Sequence, residues 1–343
     1  MGGLSVRERR VLFGLVRWPG LSDVGLGEEL SLGRSTVTVV RRRLERGGFV
    51  SGFLLPDFGR VGCELLTALY GEFSGAGGVG SLGRELRDGL SSVFYMVRSG
   101  GLHLSLGAAG SLTDVAEGIR SHHRIHHEGG FLSDRRHNYV FFPLKFTRVL
   151  RFFDYAPLLA SHFGLDYVAD KVGFKKPADW SPSSRELKVF RSLVSFPNET
   201  DEKVASVAGV SRQTVNGLRN RFLEGGLLRP VRVPDLSKIG FGLMAFSHLH
   251  MNPHHGVSAV EPRVREVLSD PAHVLNVSGD LESVALSFYR DYGEFRSSQA
   301  RMVDSYKRGN LLLGDPVTQV FPLDQTEHVV YHDYGGIVAG LKC

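Results

Sequence analysis

The chain has 343 residues, 42% apolar and 22% charged, which excludes a disordered or collagen-like polypeptide and leaves room for two to four domains. No apolar run is long enough to cross a bilayer, and the N-terminus has no apolar signal region, so no membrane partner is expected. Two cysteines, Cys63 and Cys343, make neither a disulfide framework nor a metal pattern, so a cytoplasmic protein is expected, with a net charge of +5.

The first element is an amphipathic segment from Ser5 to Trp18, with apolar residues at Val11, Leu12, Leu15 and Val16. A Trp18-Pro19 break follows, then a short helix near Gly25–Leu30 and a turn at Gly33. From Gly33 to Gly48 one helix is predicted. Val37, Val40 and Leu44 form its buried stripe, and the Gly47-Gly48 pair follows its last apolar residue. Its other face carries Arg34, Ser35, Thr36, Thr38, Arg41 and Arg42. Short hydrogen-bonding groups with arginines further along are what a helix in a DNA major groove requires. An apolar stretch ending at Pro56-Asp57 is long enough for a small wing, completing a winged helix-turn-helix.

Behind it the pattern changes to a strand over Leu65–Phe73 and a helix around Leu82–Gly89. Strands Val93–Arg98 and Leu102–Gly107 follow, then a helix from Leu112 to about His127 and a strand over Asn138–Leu144. The order β-α-β-β-α-β is the ferredoxin-like split unit. Lys171–Ser184, polar and with two prolines, reads as a linker.

The chain then repeats itself, with a short helix near Lys203–Ala208 in the second winged module and a helix over Val260–Leu268 in the second ferredoxin-like series. Sliding it by 178 residues superposes 5–62 on 183–240 without a gap, with 18 of 58 positions identical. The identities include Arg7-Glu8, Asp23, Arg34, Thr36-Val37, Arg41, Arg43 and Gly47-Gly48. A shift of 179 matches the rest, placing Ser99-Gly100 on Ser278-Gly279 and Asp154-Tyr155 on Asp333-Tyr334. The Asp-Tyr pairs lie beyond the last strand of each half, and a tail strand pairing with the other half's sheet is expected there rather than a ligand contact. The second recognition face holds Arg212, Gln213, Thr214, Asn216, Arg219 and Asn220, and its differences from the first predict two unlike half-sites on duplex DNA. Residues 5–62 and 183–240 each carry a net charge of +4, which puts positive charge where DNA is expected. The expected organisation is α+β in two tandem copies. A winged helix at 1–62 precedes a ferredoxin-like domain at 63–170, and after a linker at 171–182 the pair recurs at 183–240 and 241–343.

This arrangement, with the Ser278–Ser283 turn (Ser-Gly-Asp-Leu-Glu-Ser), resembles the Lrp/AsnC (feast/famine) regulators. The resemblance implies a DNA-binding transcriptional regulator rather than an enzyme. It also implies a small-molecule effector near Ser278, Gly279 and Asp280, and a homodimer or a pseudo-dimer formed within one chain. Copy one has Gly101 where copy two has Asp280, so the effector site is expected in one half at most.

The one conspicuous chemical cluster is His122-His123-Arg124-Ile125-His126-His127. On a helix His122 and His126 share a face, as two metal ligands would, with Glu128, His137 or His103 to complete the set. The other reading is an exposed polar helix end. Some Lrp-like proteins decarboxylate siroheme using histidine and arginine near the tetrapyrrole carboxylates, and the histidines would suit that alternative, as they would a metal-responsive regulator. Gly75–Gly80 lacks a P-loop lysine and reads as a flexible loop, and the sequence identifies no cofactor.

Overall fold

The computed structural model describes residues 3–72, 92–128, 137–168, 180–254 and 269–341. The helices expected near Leu82–Gly89 and Val260–Leu268, the Gly75–Gly80 loop and most of the linker lie outside them.

Helices α1 (Val6–Arg17), α2 (Asp23–Leu30) and α3 (Arg34–Arg46) open the chain. At the start of α1 the Ser5 hydroxyl accepts from the Glu8 N–H, and the Glu8 carboxylate accepts from the Ser5 N–H, a reciprocal cap. Helices α1 and α2 bury Val11, Leu12, Leu15, Val16, Leu26 and Leu30, and α3 adds Val37 and Leu44. Next come β1 (Val50–Pro56), β2 (Leu65–Glu72), β3 (Val93–Ser99), β4 (Leu102–Ala109), α4 (Leu112–Glu128) and β5 (Asn138–Pro143). A tail of β6 (Arg148–Arg151) and α5 (Ala156–Phe163) ends the first half.

The second half repeats the series. It holds α6 (Ser184–Ser195), α7 (Asp201–Ala208), α8 (Arg212–Glu224), β7 (Leu228–Pro234), β8 (Leu243–His250), β9 (His273–Ser278) and β10 (Glu282–Tyr289). Then follow α9 (Tyr292–Arg308), β11 (Val317–Pro322), β12 (Glu327–Tyr331) and α10 (Gly335–Ala339). The capping box recurs at Ser183 and Glu186. Helices α2 and α7 begin two residues earlier than predicted, because the hydroxyls of Ser22 and Thr200 cap them.

The chain forms two compact units, and each draws on both halves. Unit 1 comprises Met1–Gly52, Thr147–Gly173 and Val231–Asp324; unit 2 comprises Phe53–Phe146, Phe174–Pro230 and Gln325–Cys343. Unit 1 has a sheet ordered β11-β8-β10-β9-β6, so the tail strand of the first half closes the sheet of the second. Unit 2 has the order β12-β3-β4-β2-β5, with the second half's tail strand on the first half's sheet. In each sheet the four strands other than the tail carry the ferredoxin-like order, antiparallel throughout. The repeated Asp-Tyr pairs fix the tails. Asp154 donates its N–H to Val274 O and Asp333 donates to Phe94 O, while Tyr155 lies against Phe288 and Tyr334 against Phe94.

The wings differ from the expectation of one per half. Instead β1 and β7 pair in a two-stranded sheet. Its unit 1 end is marked by Asp235 N–H donating to Phe49 O, and its unit 2 end by Asp57 N–H donating to Leu227 O. Each apolar stretch holds one strand, too short to fold back on itself, so it borrows the other copy's equivalent.

Candidate functional site

The predicted recognition residues form two faces with the same wiring. Arg34, Ser35 and Arg42 are exposed on α3, and Arg212, Gln213, Asn216 and Asn220 on α8; Thr36 and Thr214 are partly covered. Thr38 donates its hydroxyl to Asp23 at 2.7 Å, and Arg41 pairs with the same carboxylate at 2.8 Å and with Glu45 at 3.1 Å. In the second copy Asn216 donates to Asp201 at 3.3 Å and Arg219 pairs with it at 2.7 Å. Arg43 binds the capping carboxylate Glu8, and Arg221 binds Glu186. The cations shared by the two copies at these positions therefore hold α3 and α8 to their own modules.

Within unit 2, a cluster assembles between sheet and helix from three elements. Strand β4 contributes His103, opposite Arg98 of β3 in register and so on the same face. Helix α4 contributes His122 and His123, and β5 contributes Tyr139, with His137 immediately before the strand. The rings of His103 and His122 are 4.9 Å apart, those of His122 and His137 6.4 Å, and those of His123 and His137 5.3 Å. His123 is hydrogen-bonded to the Tyr139 hydroxyl, and His103 to Ser105 at 2.7 Å.

The placement of His122 follows from helical spacing. Val115, Ile119, His122 and Ile125 recur at three and four, so His122 lies on the inward stripe at 2% exposure rather than at an exposed helix end. The side chain of His126 lies outside the described residues. Among the described residues, the His122 cluster does not bring three ligand atoms together as a metal needs. Burial, and then the neighbouring His123, push the His137 pKa below its ordinary value; burial raises that of Tyr139. Arg98 is buried, and its pKa is lowered for that reason, against the pull of Glu327.

Two glycines keep this space open. A Cβ on Gly71 would stand 2.5 Å from His137 Cδ2, and one on Gly107 would stand 2.7 Å from Ser92 O and 2.8 Å from Thr67 Oγ1. A cavity of about 40 Å³ remains beside Thr67, Ser105, His122 and Tyr139, room for a carboxylate-sized group.

The second copy does not repeat the cluster. The β9–β10 turn is one residue longer than β3–β4, so α9 starts 180 residues after α4 rather than the 179 expected from the sequence match. His122 is thereby matched by Met302 and His126 by Tyr306, both apolar core. Unit 1 has instead a cavity of about 540 Å³, lined by His162, Phe241, Asp270, His273, Tyr289 and Arg301 among others. Asp270 is wired in: it accepts from Ser298 at 2.7 Å and from Arg301 at 3.2 Å, and Ser298 meets the Tyr289 hydroxyl at 3.1 Å. Burial raises the Asp270 pKa, but the hydrogen bonds from Ala272 N–H, Ser298 and Arg301 outweigh it and hold it below the usual value. The expected effector residues lie elsewhere. Ser278, Gly279 and Asp280 form the β9–β10 turn, with Gly279 N–H on Glu282 O, and none lines the cavity.

No protein-family model matches the sequence, and no curated protein matches it. Among solved structures, the siroheme decarboxylase NirDL is similar over 97% of this chain and 98% of its own, at 12% identity and a TM-score of 0.53. NirDL in co-complex with an iron-uroporphyrin III analogue matches over the same shares, with a TM-score of 0.51. The AsnC family regulator from Agrobacterium tumefaciens, at 17% identity, covers 40% of this chain and 89% of its own, with a TM-score of 0.34. E. coli AsnC covers 41% of this chain at 10% identity and a TM-score of 0.31. The full-length likeness shows an Lrp/AsnC-type α+β fold. It also corrects the expectation of a DNA-binding regulator that is not an enzyme. The structure that is similar along the whole chain is that of an enzyme, the siroheme decarboxylase NirDL. Among the described residues no helix is long and apolar enough to cross a membrane.

Proposed function

We propose that this chain is a decarboxylase of the siroheme-decarboxylase type, releasing carbon dioxide from carboxylate side chains of a tetrapyrrole. The observation that carries the reading is the unit 2 cluster. It joins four histidines and a tyrosine from separate elements, His122 and Tyr139 line a carboxylate-sized cavity, and the buried Arg98 stands opposite His103 in the strand register. The full-length likeness to NirDL supports it by supplying the same scaffold.

Decarboxylation breaks the bond between the carboxylate carbon and its methylene. The electron pair stays on the methylene carbon, and a proton takes the place of carbon dioxide. The macrocycle supplies conjugation to delocalise that pair, and the protein must bind the anion and deliver the proton. Arg98 is the cation for the carboxylate; buried as it is, its attraction is little screened. Histidine titrates near neutrality and can both give and recover a proton. His123, fixed by Tyr139, is the assigned donor, and His137, held neutral by burial, relays protons to it.

Purified protein incubated anaerobically with siroheme should yield products lighter by one carbon dioxide per event, read by mass spectrometry. His123→Gln should reduce turnover by about 100-fold or more, within the range for lost general acid–base catalysis. Arg98→Met should raise KM. Absence of any tetrapyrrole binding by visible absorbance, with no product formed, would overturn the reading.

A further inference from the structure

A second cluster lies on the unit 1 sheet, among residues that play no part in the proposed decarboxylation. Strand β8 carries His248 and His250, two apart and therefore on one face. Leu249 and Met251, of the other parity, pack against Met302 and Tyr306 of α9, so the two histidines occupy the face away from that helix. Glu282, the first residue of β10, stands directly opposite His250 in the antiparallel register. One carboxylate oxygen, Oε1, is 3.8 Å from His248 Nε2 and 3.8 Å from His250 Nδ1, and the two rings are 4.4 Å apart.

We infer that His248, His250 and Glu282 form a binding site for a divalent transition metal ion of the zinc class. The donor set is two imidazoles and one carboxylate, with one ligand atom of each lying within 4.8 Å of the other two. Imidazole and carboxylate oxygen bind zinc at about 2.0–2.2 Å, which sets tetrahedral ligand–ligand edges near 3.4 Å. The present separations of 3.8 Å close to that value by shifts of well under about 1 Å at each side chain. Charge also suits the ion, since one carboxylate among the three donors partly neutralises a dication. Three protein ligands leave a coordination position open, and the half-exposed His250 puts it within reach of solvent.

The duplication supplies an internal control. In half one the register pair Glu72–Leu102 stands where His250–Glu282 does, and Tyr70 stands where His248 does. Half one lacks the donor set, so the site was built in one copy only.

The test uses full-length protein stripped of metal with a chelator and titrated with Zn²⁺, and separately with Co²⁺. Wild type should bind one equivalent with loss of binding in two variants, and bound Co²⁺ should show visible d–d bands. His250→Ala and Glu282→Gln, both at partly exposed positions, should each weaken Zn²⁺ by more than about 100-fold, beyond the cost of losing an outer-shell partner. Their metal-free melting temperatures should match wild type. His122→Ala, in the other cluster, should leave the affinity unchanged. No binding by wild type, binding that survives both variants, or binding lost on His122→Ala would overturn the inference. The titration needs no tetrapyrrole, so its result is independent of decarboxylase activity.

Discussion

His273 shows how much single residues decide here. It is buried in unit 1, with Nδ1 2.6 Å from the Ser287 hydroxyl. Burial pushes its pKa down to about 4, with Asp270 pulling upward and Arg151 downward. In the unfolded chain the value is about 6.5, so between those limits the unfolded state binds the proton and the native state does not. The contribution of neutral His273 is therefore complete above about 6.5 and lost as pH falls towards 4, by up to about 3 kcal/mol. The urea midpoint should hold steady above neutrality and fall through that window; a midpoint that rises on acidification would contradict this placement. The glycine at 71 is equally exacting. Gly71→Ala puts a methyl against the His137 ring, and should cost about 1–3 kcal/mol, read by denaturant unfolding, with turnover falling as the ring is displaced. The histidine cluster was half legible in the sequence. Read from the sequence, His122 pairs with His126 as metal ligands or sits at an exposed helix end, although the spacing of Val115, Ile119, His122 and Ile125 holds the signal for an inward position; nothing local could announce that His103 and His137 would meet it. Those approaches depend on strand pairing, which brings together residues far apart in the chain.

Helices α3 and α8 carry the lesson about elements. Their amphipathic pattern, caps and glycine stops placed them correctly. What the pattern could not tell was whether an arginine on the polar face turns outward or back onto its neighbour. The clue lay in the repeat itself, because Glu8, Asp23, Arg41 and Arg43 are each retained at the shift of 178 as Glu186, Asp201, Arg219 and Arg221. They are the partners in two ion pairs per module. Thr38 and Asn216 differ in chemistry yet donate to the same acidic residue, so an exchange that seemed to alter base reading preserves one hydrogen bond. Arg41→Ala and Arg219→Ala should each lower stability by about 1 kcal/mol, a few degrees in Tm, as partly exposed pairs do. A double-mutant cycle of Arg41→Ala with Asp23→Ala should recover a coupling of similar size; strict additivity would show that the pair contributes nothing.

At the scale of the molecule, the decisive feature is the exchange of tails. Periodicity predicted the β-α-β-β-α-β series in each half, and the Asp-Tyr pair repeated beyond each last strand pointed to a tail strand on the other half's sheet, as β6 and β12 are. The tail strands themselves are too short for their own pattern to say which sheet they join. Since each unit takes segments from both halves, residues 1–173 and 174–343 made as separate chains should be insoluble or molten alone. Expressed together they should reconstitute a folded complex on size exclusion; two independently folded halves would refute the shared construction. The same feature constrains synthesis on the ribosome. Strand β3 is made by residue 99, but the strand that covers its outer edge, β12, begins at Glu327. Roughly 230 residues separate them, so at 5–20 residues per second the edge stands open for roughly ten to fifty seconds. An unpaired edge is a template for aggregation, so the nascent first half depends on slow self-association, or on a chaperone, until the last strand arrives.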